Sequence, residues 1–197
     1  MRIQQILLAL ALGVSALFTG CAHPITVGPV DASQIKASGT SRIGKSVGYF
    51  VAPEDAQREV TTGGGGGDKV SYKPYADLDP GLYRALSEVF ANVTKMKSAN
   101  EAAVPGSPLR LVILPKIFTN SSSSSALTWP PTDFSIELVC KVTDPAGAVV
   151  TEVKGIGKGH AEYDEFKNNH SLSANRATQE ALVNLVKALE ADPALRR

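Results

Sequence analysis

The stretch that most constrains this 197-residue chain lies between residues 134 and 156. Phe134, Ile136, Leu138, Cys140 and Val142 alternate with more polar neighbours, the period-two pattern of a strand with one buried face. Asp144-Pro-Ala-Gly147 then turns the chain, and Val149 to Ile156 returns as a second strand with Glu152 and Lys154 facing outward. An antiparallel hairpin of this kind needs cover for its apolar side, and two stretches with helical spacing can supply it. In the first, Asp79 reads as N-cap and Pro80 as the first helical residue. Leu82, Leu86, Val89, Phe90 and Val93 share one stripe there, which ends near Lys97. The second starts at Ser171 or Ser173, is lined by Ala177, Ala181, Leu182, Leu185, Ala188 and Leu189, and stops at Asp192-Pro193.

Two more strands are legible. Ser46–Val51 is rich in aromatic and β-branched residues and stops at Pro53, and Leu109–Leu114 is an apolar run between Pro108 and Pro115. Val70–Tyr75 reads as a short edge strand after the glycine loop Gly63–Gly67. The predicted fold class is α+β: an antiparallel sheet of about four strands, both helices on one face, in the order strand-helix-strand-strand-strand-helix. Residues 46–192 suit one core, and 193–197 read as a tail. Residues 21–45 contain few large apolar side chains and read as a flexible tether reaching roughly 25–30 Å.

Charge narrows the partners. Arg2 is the sole charge before Cys21 and the whole chain carries +1, so the remainder is neutral, which disfavours binding to a nucleic-acid backbone. With 43% hydrophobic residues and two cysteines, neither a disordered chain nor a disulfide-stapled miniprotein fits.

The N-terminus reads as an address. Ile6–Phe18 is apolar apart from Gly13 and Ser15, and as a helix it would span only about 20 Å of a ~30 Å hydrocarbon layer. Residues 1–20 therefore read as a signal peptide. Leu17-Phe18-Thr19-Gly20-Cys21 resembles the lipobox of bacterial lipoproteins, with Phe18 where that family usually carries Leu. The resemblance implies cleavage before Cys21 and acylation of its sulfur and amine. Ala22 in second place implies delivery to the outer membrane, with the domain facing the periplasm. The element order is similar to that of YajG-like lipoproteins and of the TolB N-terminal domain, which transfers no site.

Other motifs have plainer readings. Gly39-Thr-Ser-Arg-Ile-Gly44-Lys45-Ser46 matches the phosphate-loop pattern, but a strand rather than a helix follows it, so no nucleotide is expected. Gly155, Gly157 and Gly159 share one strand face and are expected to admit a close neighbour. Ser33-Gln-Ile-Lys36 lies in the tether with nothing to orient its lysine. Cys140 is expected to be a small buried hydrophobe. His23 falls in the tether, while His160 and His170 flank Glu162, Asp164 and Glu165 without a metal-ligand spacing. No cofactor or metal is expected. Trp129, Pro130 and Pro131 form a candidate aromatic anchor for a partner, with folding back onto the core as the alternative.

The expected function is that of a lipid-anchored, non-enzymatic binding or assembly module whose partners are the membrane and an envelope protein or polymer. Two other readings stand beside it: a lipid-anchored hydrolase using His160, Asp164, Glu165 and His170, and a carrier of a small apolar ligand.

Overall fold

In the computed structural model, which describes residues 22–39, 41–64, 68–123 and 130–197, the turn predicted at Asp144 is present. Its Oδ1 accepts the N–H groups of Ala146 and Ala148 at 2.9 Å each, and Gly147 adopts φ 91°, a conformation that favours glycine. The turn joins β7 (Asp133–Thr143) to β8 (Val149–His160), and β7 also pairs antiparallel with β6 (Leu111–Ser122). Pro115 lies inside β6 but past Ile113, the last residue paired with the strand on its other side, so its missing N–H is tolerated there.

The sheet is not the single four-stranded antiparallel one expected. It has five strands, in the order β5-β2-β6-β7-β8, where β2 is Ile43–Tyr49 and β5 is Phe90–Lys95. β2 runs parallel to both β5 and β6. A second sheet of three strands has the order β1-β4-β3, with β1 Ala22–Pro24, β3 Val60–Gly63 and β4 Lys69–Tyr72. Four α-helices complete the described residues: α1 (Pro53–Gln57), α2 (Pro74–Val89), α3 (Tyr163–Asn168) and α4 (Leu172–Ala191).

The first long helix differs from expectation at both ends. It begins at Pro74, and Pro80 lies within it. The buried stripe explains this: Tyr75 and Leu78 continue the row Leu82, Ala85, Leu86 and Val89 one turn and more upstream. Asp79 is no N-cap; its carboxylate accepts from the Tyr49 hydroxyl at 3.1 Å and pairs with Lys95 at 2.9 Å. Burial, and then the Asp79 charge, push the Tyr49 hydroxyl well above its ordinary pKa. After Val89 the chain passes directly into β5. The crossover through α2 is what makes β2 and β5 parallel.

Both long helices share one core with a single face of the larger sheet, including Val47, Tyr49, Leu111, Ile113, Ile136, Leu138, Cys140 and Val142. Val112, on the opposite face, joins a smaller cluster with Met96, Ala102 and Leu109. The glycine row of β8 has the packing role expected of it. A methyl group on Gly155, Gly157 or Gly159 would come within 3 Å of the carbonyl oxygen of Ala181, Ala177 or Ser173 respectively, so α4 lies with its backbone on the strand.

The segment expected to be a tether is instead a strap across α2 and α4. Val27 and Ile35 are fully buried and Ile25 nearly so. Side chains of the helices and of Ser171 accept the strap's backbone N–H groups: Thr26 by Ser171 (3.1 Å), Val27 by Asp77 (3.2 Å) and Asp31 by Gln179 (3.0 Å). The Asn175 amide donates in turn to the carbonyls of Thr26 (2.8 Å) and Gly28 (3.1 Å). Further along, Glu88 accepts from Ala37, and Glu190 accepts from Ser38 and Gly39. Ser171 thus precedes α4 as expected, but its hydroxyl serves the strap rather than its own helix. The expected tail is also packed. Pro193–Leu195 forms a 3-10 turn with Leu195 fully buried, and Asp192 accepts the Thr151 hydroxyl at 2.6 Å.

Gly157→Ala is expected to destabilise the protein by about 1–3 kcal/mol, because the helix backbone has no room to yield. Gly44→Ala meets open space and is expected to change stability by less than about 0.5 kcal/mol. Urea denaturation of the two variants checks this, and equal losses would refute the packing role.

Candidate functional site

Ser122, Asp133 and His160 stand in register across β6, β7 and β8, at the end of the sheet remote from the Asp144 turn. Paired residues point to the same side, so the three side chains are neighbours. With Phe134, Ser135, Lys158 and Gly159 they line a cavity of about 380 Å³. His160 Nδ1 lies 2.7 Å from Asp133 Oδ1, and Nε2 lies 3.4 Å from Glu162 Oε1. The hydrogen bond to Asp133 raises the imidazole pKa above its ordinary 6.5, helped by the charges of both carboxylates.

This row has the residue types of a nucleophilic triad in the wrong order. A histidine must sit between acid and hydroxyl to shuttle a proton. Here Asp133 occupies the middle strand, and the second ring nitrogen of His160 faces Glu162. The arrangement favours an imidazolium between two carboxylates.

The four residues of the hydrolase reading do not converge. Asp164 pairs with Lys167, and Glu165 takes a two-pronged bond from Arg176 at 2.8 and 2.9 Å. That bond, with the Glu162 N–H, holds the Glu165 carboxyl down to about 2. Glu165 also closes the capping box that starts α3. His170 stacks on His23 with ring centroids 4.8 Å apart and meets Phe166 edge-on at 5.0 Å. Among the described residues, no group of three or more His, Cys, Asp or Glu is placed to hold a metal ion.

The phosphate-loop match dissolves in the same way. Gly39 gives its N–H to the Glu190 carboxylate, Gly44-Lys45-Ser46 lies within β2, and Lys45 bonds the carbonyl of Arg197. Cys140 is fully buried, and burial pushes its thiol up to about 12.

Pro130 and Pro131 are buried, as the folded-back alternative has them and an exposed anchor does not. They pack where Gly64 comes close, and the Pro131 carbonyl accepts the Ser173 hydroxyl at 3.4 Å. Cys21 and Trp129 lie outside the described residues. Two features escaped the sequence reading. The strap is one, although Ser171, Asn175 and Gln179, polar and four apart beside an apolar stripe, were its signal. The other is on the side of the sheet away from the helices, where Phe118 and Ile156 flank Glu137 in one cross-strand row, each about half exposed.

Two further cavities mix apolar and charged walls. One of about 560 Å³ is bordered by Asp55, Arg58 and Lys116, and one of about 450 Å³ by Lys187, Glu190 and Arg196. In the larger, the Arg58 guanidinium lies 5.2 Å over the Tyr75 ring, and the Tyr75 hydroxyl accepts the Ile117 N–H at 3.2 Å. No helix among the described residues is long and apolar enough to cross a membrane.

A raised pKa on His160 stabilises the fold fully below the unfolded value and loses that contribution as pH rises through the folded one. Proton NMR titration of His160 is expected to give a midpoint above its ordinary 6.5, and Asp133→Asn to bring it down. An unchanged midpoint in the variant would refute the pairing.

No protein-family model matches the sequence, and no curated protein matches it. A solved structure of similar fold is protein XCC0632 from Xanthomonas campestris, of the family model DUF330. The TM-score is 0.50 at 13% identity, over 86% of this chain and 92% of that one. At this identity the likeness is one of fold: a mixed α+β architecture that this chain shares with a bacterial protein.

Proposed function

We propose that this chain is a bacterial outer-membrane lipoprotein, held by acyl groups on Cys21 and facing the periplasm, which works by binding an envelope component. The observation that carries the reading is the Leu17–Cys21 sequence behind an apolar run too short to span a bilayer. Two or more acyl chains give stable anchoring at roughly 0.8 kcal/mol per buried CH₂, where one chain holds only marginally.

Binding rather than catalysis is supported by how the polar groups are used. Asp164, Glu165 and His170 bond or stack with neighbours of structural kind, and Asp133 separates His160 from Ser122. The partner proposed is an envelope protein or polymer. Trp129 is the residue proposed to anchor it.

Cys21→Ser is the direct test, in the full-length chain expressed with its own leader. The native protein is expected to sediment with outer membranes, and the variant to remain soluble or stall unprocessed at the inner membrane. Equal outer-membrane recovery of both would refute the reading.

A further inference from the structure

A lipoprotein with a free linker holds its domain at no fixed angle to the bilayer. The strap removes that freedom. Ala22, one peptide bond after Cys21, is already paired with Lys69 in the β1–β4 ladder, and the Ile25 N–H extends it to the Ser71 carbonyl at 2.9 Å. From Thr26 to Gly39 six backbone N–H groups are held by side chains of α2, α4 and Ser171, and the Asn175 amide holds the carbonyls of Thr26 and Gly28. Successive Cα atoms lie about 3.8 Å apart, so the acylated residue is within one such step of folded structure.

The end of the domain that this places at the lipid can be named. Lys69 pairs with Gly63, whose carbonyl accepts the Ser121 hydroxyl at 2.9 Å, and Gly64 lies against Pro130 and Pro131. β1, the β3–β4 ends, the Asp133–His160 row and the start of α4 therefore share one end. Exposed Lys69 and Lys158 give it cationic groups suited to phosphate headgroups, while the carboxylates of Asp68, Asp133 and Glu162 at this end are paired with His23 and His160. Val149, 60% exposed, begins β8 at the opposite end. The twelve residues of this strand put it about 36 Å from His160.

We propose that the strap is a rigid mount, setting the β1–β4 end of the domain directly on the lipid headgroups and pointing the Asp144 turn away from them. The proposal rests on acylation of Cys21, as proposed above.

The test uses the full chain, extracted from membranes and reconstituted in phosphatidylethanolamine–phosphatidylglycerol vesicles with nitroxide on a fraction of the headgroups. Lys69→Cys and Val149→Cys each receive a fluorophore, Cys140 being buried. Quenching is expected at position 69 and none above background at 149. Equal quenching at both positions, in protein whose intact mass shows acylated Cys21, overturns the mount and leaves the anchor standing. An unmodified mass overturns both. Amide exchange in the unlabelled protein supplies a second measure. The N–H groups of Val27 and Asp31 are expected to be protected in the vesicles, and exchange at the rate of an unstructured chain overturns the proposal. Asn175→Ala with Gln179→Ala is expected to speed that exchange and to weaken the quenching contrast; an undiminished contrast with fast exchange again counts against the mount.

Discussion

The approach of α4 to β8 without side chains between them organises the rest of the structure. Two residues of strand advance about 6.6 Å and four residues of helix about 6.0 Å, so a glycine at every second strand position meets a small residue at every fourth helix position. Gly155, Gly157 and Gly159 meet Ala181, Ala177 and Ser173 in this way, the helix running opposite to the strand. A second row lies beside the first. Asn184 donates to the Ile156 carbonyl, Glu180 accepts the Lys158 N–H and Arg176 donates to the His160 carbonyl, at 2.7–2.8 Å. β8 is an edge strand, and these bonds occupy the backbone groups through which another chain would add to it.

The same helix carries a third row, Asn175 and Gln179 with Ser171 just ahead of the helix, turned toward the strap. A helix seated this close to the sheet has its other flanks fixed in space, so side chains four apart become a rack for an extended segment. Val27 and Ile35 fill the space between the helices while their neighbours' N–H groups are satisfied one by one. An extended segment with no strand partner would otherwise leave buried donors without acceptors. Close packing on one side of α4 and capture of the N-terminal segment on the other are thus parts of one arrangement.

Much of this was legible, and the failures have physical causes. The Phe134–Ile156 hairpin, its Asp144 turn, the last helix and the glycine row all follow local rules, and local rules decide them. The boundary at Val89 does not. Phe90 and Val93 fit the helical stripe as well as they fit a strand, and pairing with Ile43 and Val47 of β2, far away in sequence, decides the matter. The helix start was misplaced because Asp79-Pro80 is a good N-terminal signal, overridden by burial of Tyr75 and Leu78. Parallel pairing was missed because the connection from β2 to β5 holds an inserted β3–β4 hairpin that hides the crossover. The strap looks like a tether in the sequence because Ile25, Val27 and Ile35 are sparse among small and polar residues; their cover comes from helices that begin only at Pro74 and Leu172.

At the site level, spacing in the sequence and geometry in the fold diverge for a common reason. A motif specifies residue types along the chain, whereas chemistry depends on which partner reaches them first. Glu190 reaches the amide of Gly39 before any phosphate would, and no helix follows Gly44 to concentrate positive potential on the loop. Arg176 takes up Glu165, and Asp133 holds the ring nitrogen of His160 that faces it. Only the register of three strands reveals that Ser122, Asp133 and His160 are neighbours with the carboxylate in the middle. That order makes the histidine an ion-pair partner rather than a base for the serine. The pair lies at the same end of the fold as β1, which the Gly63 carbonyl and the Ser121 hydroxyl link to the larger sheet.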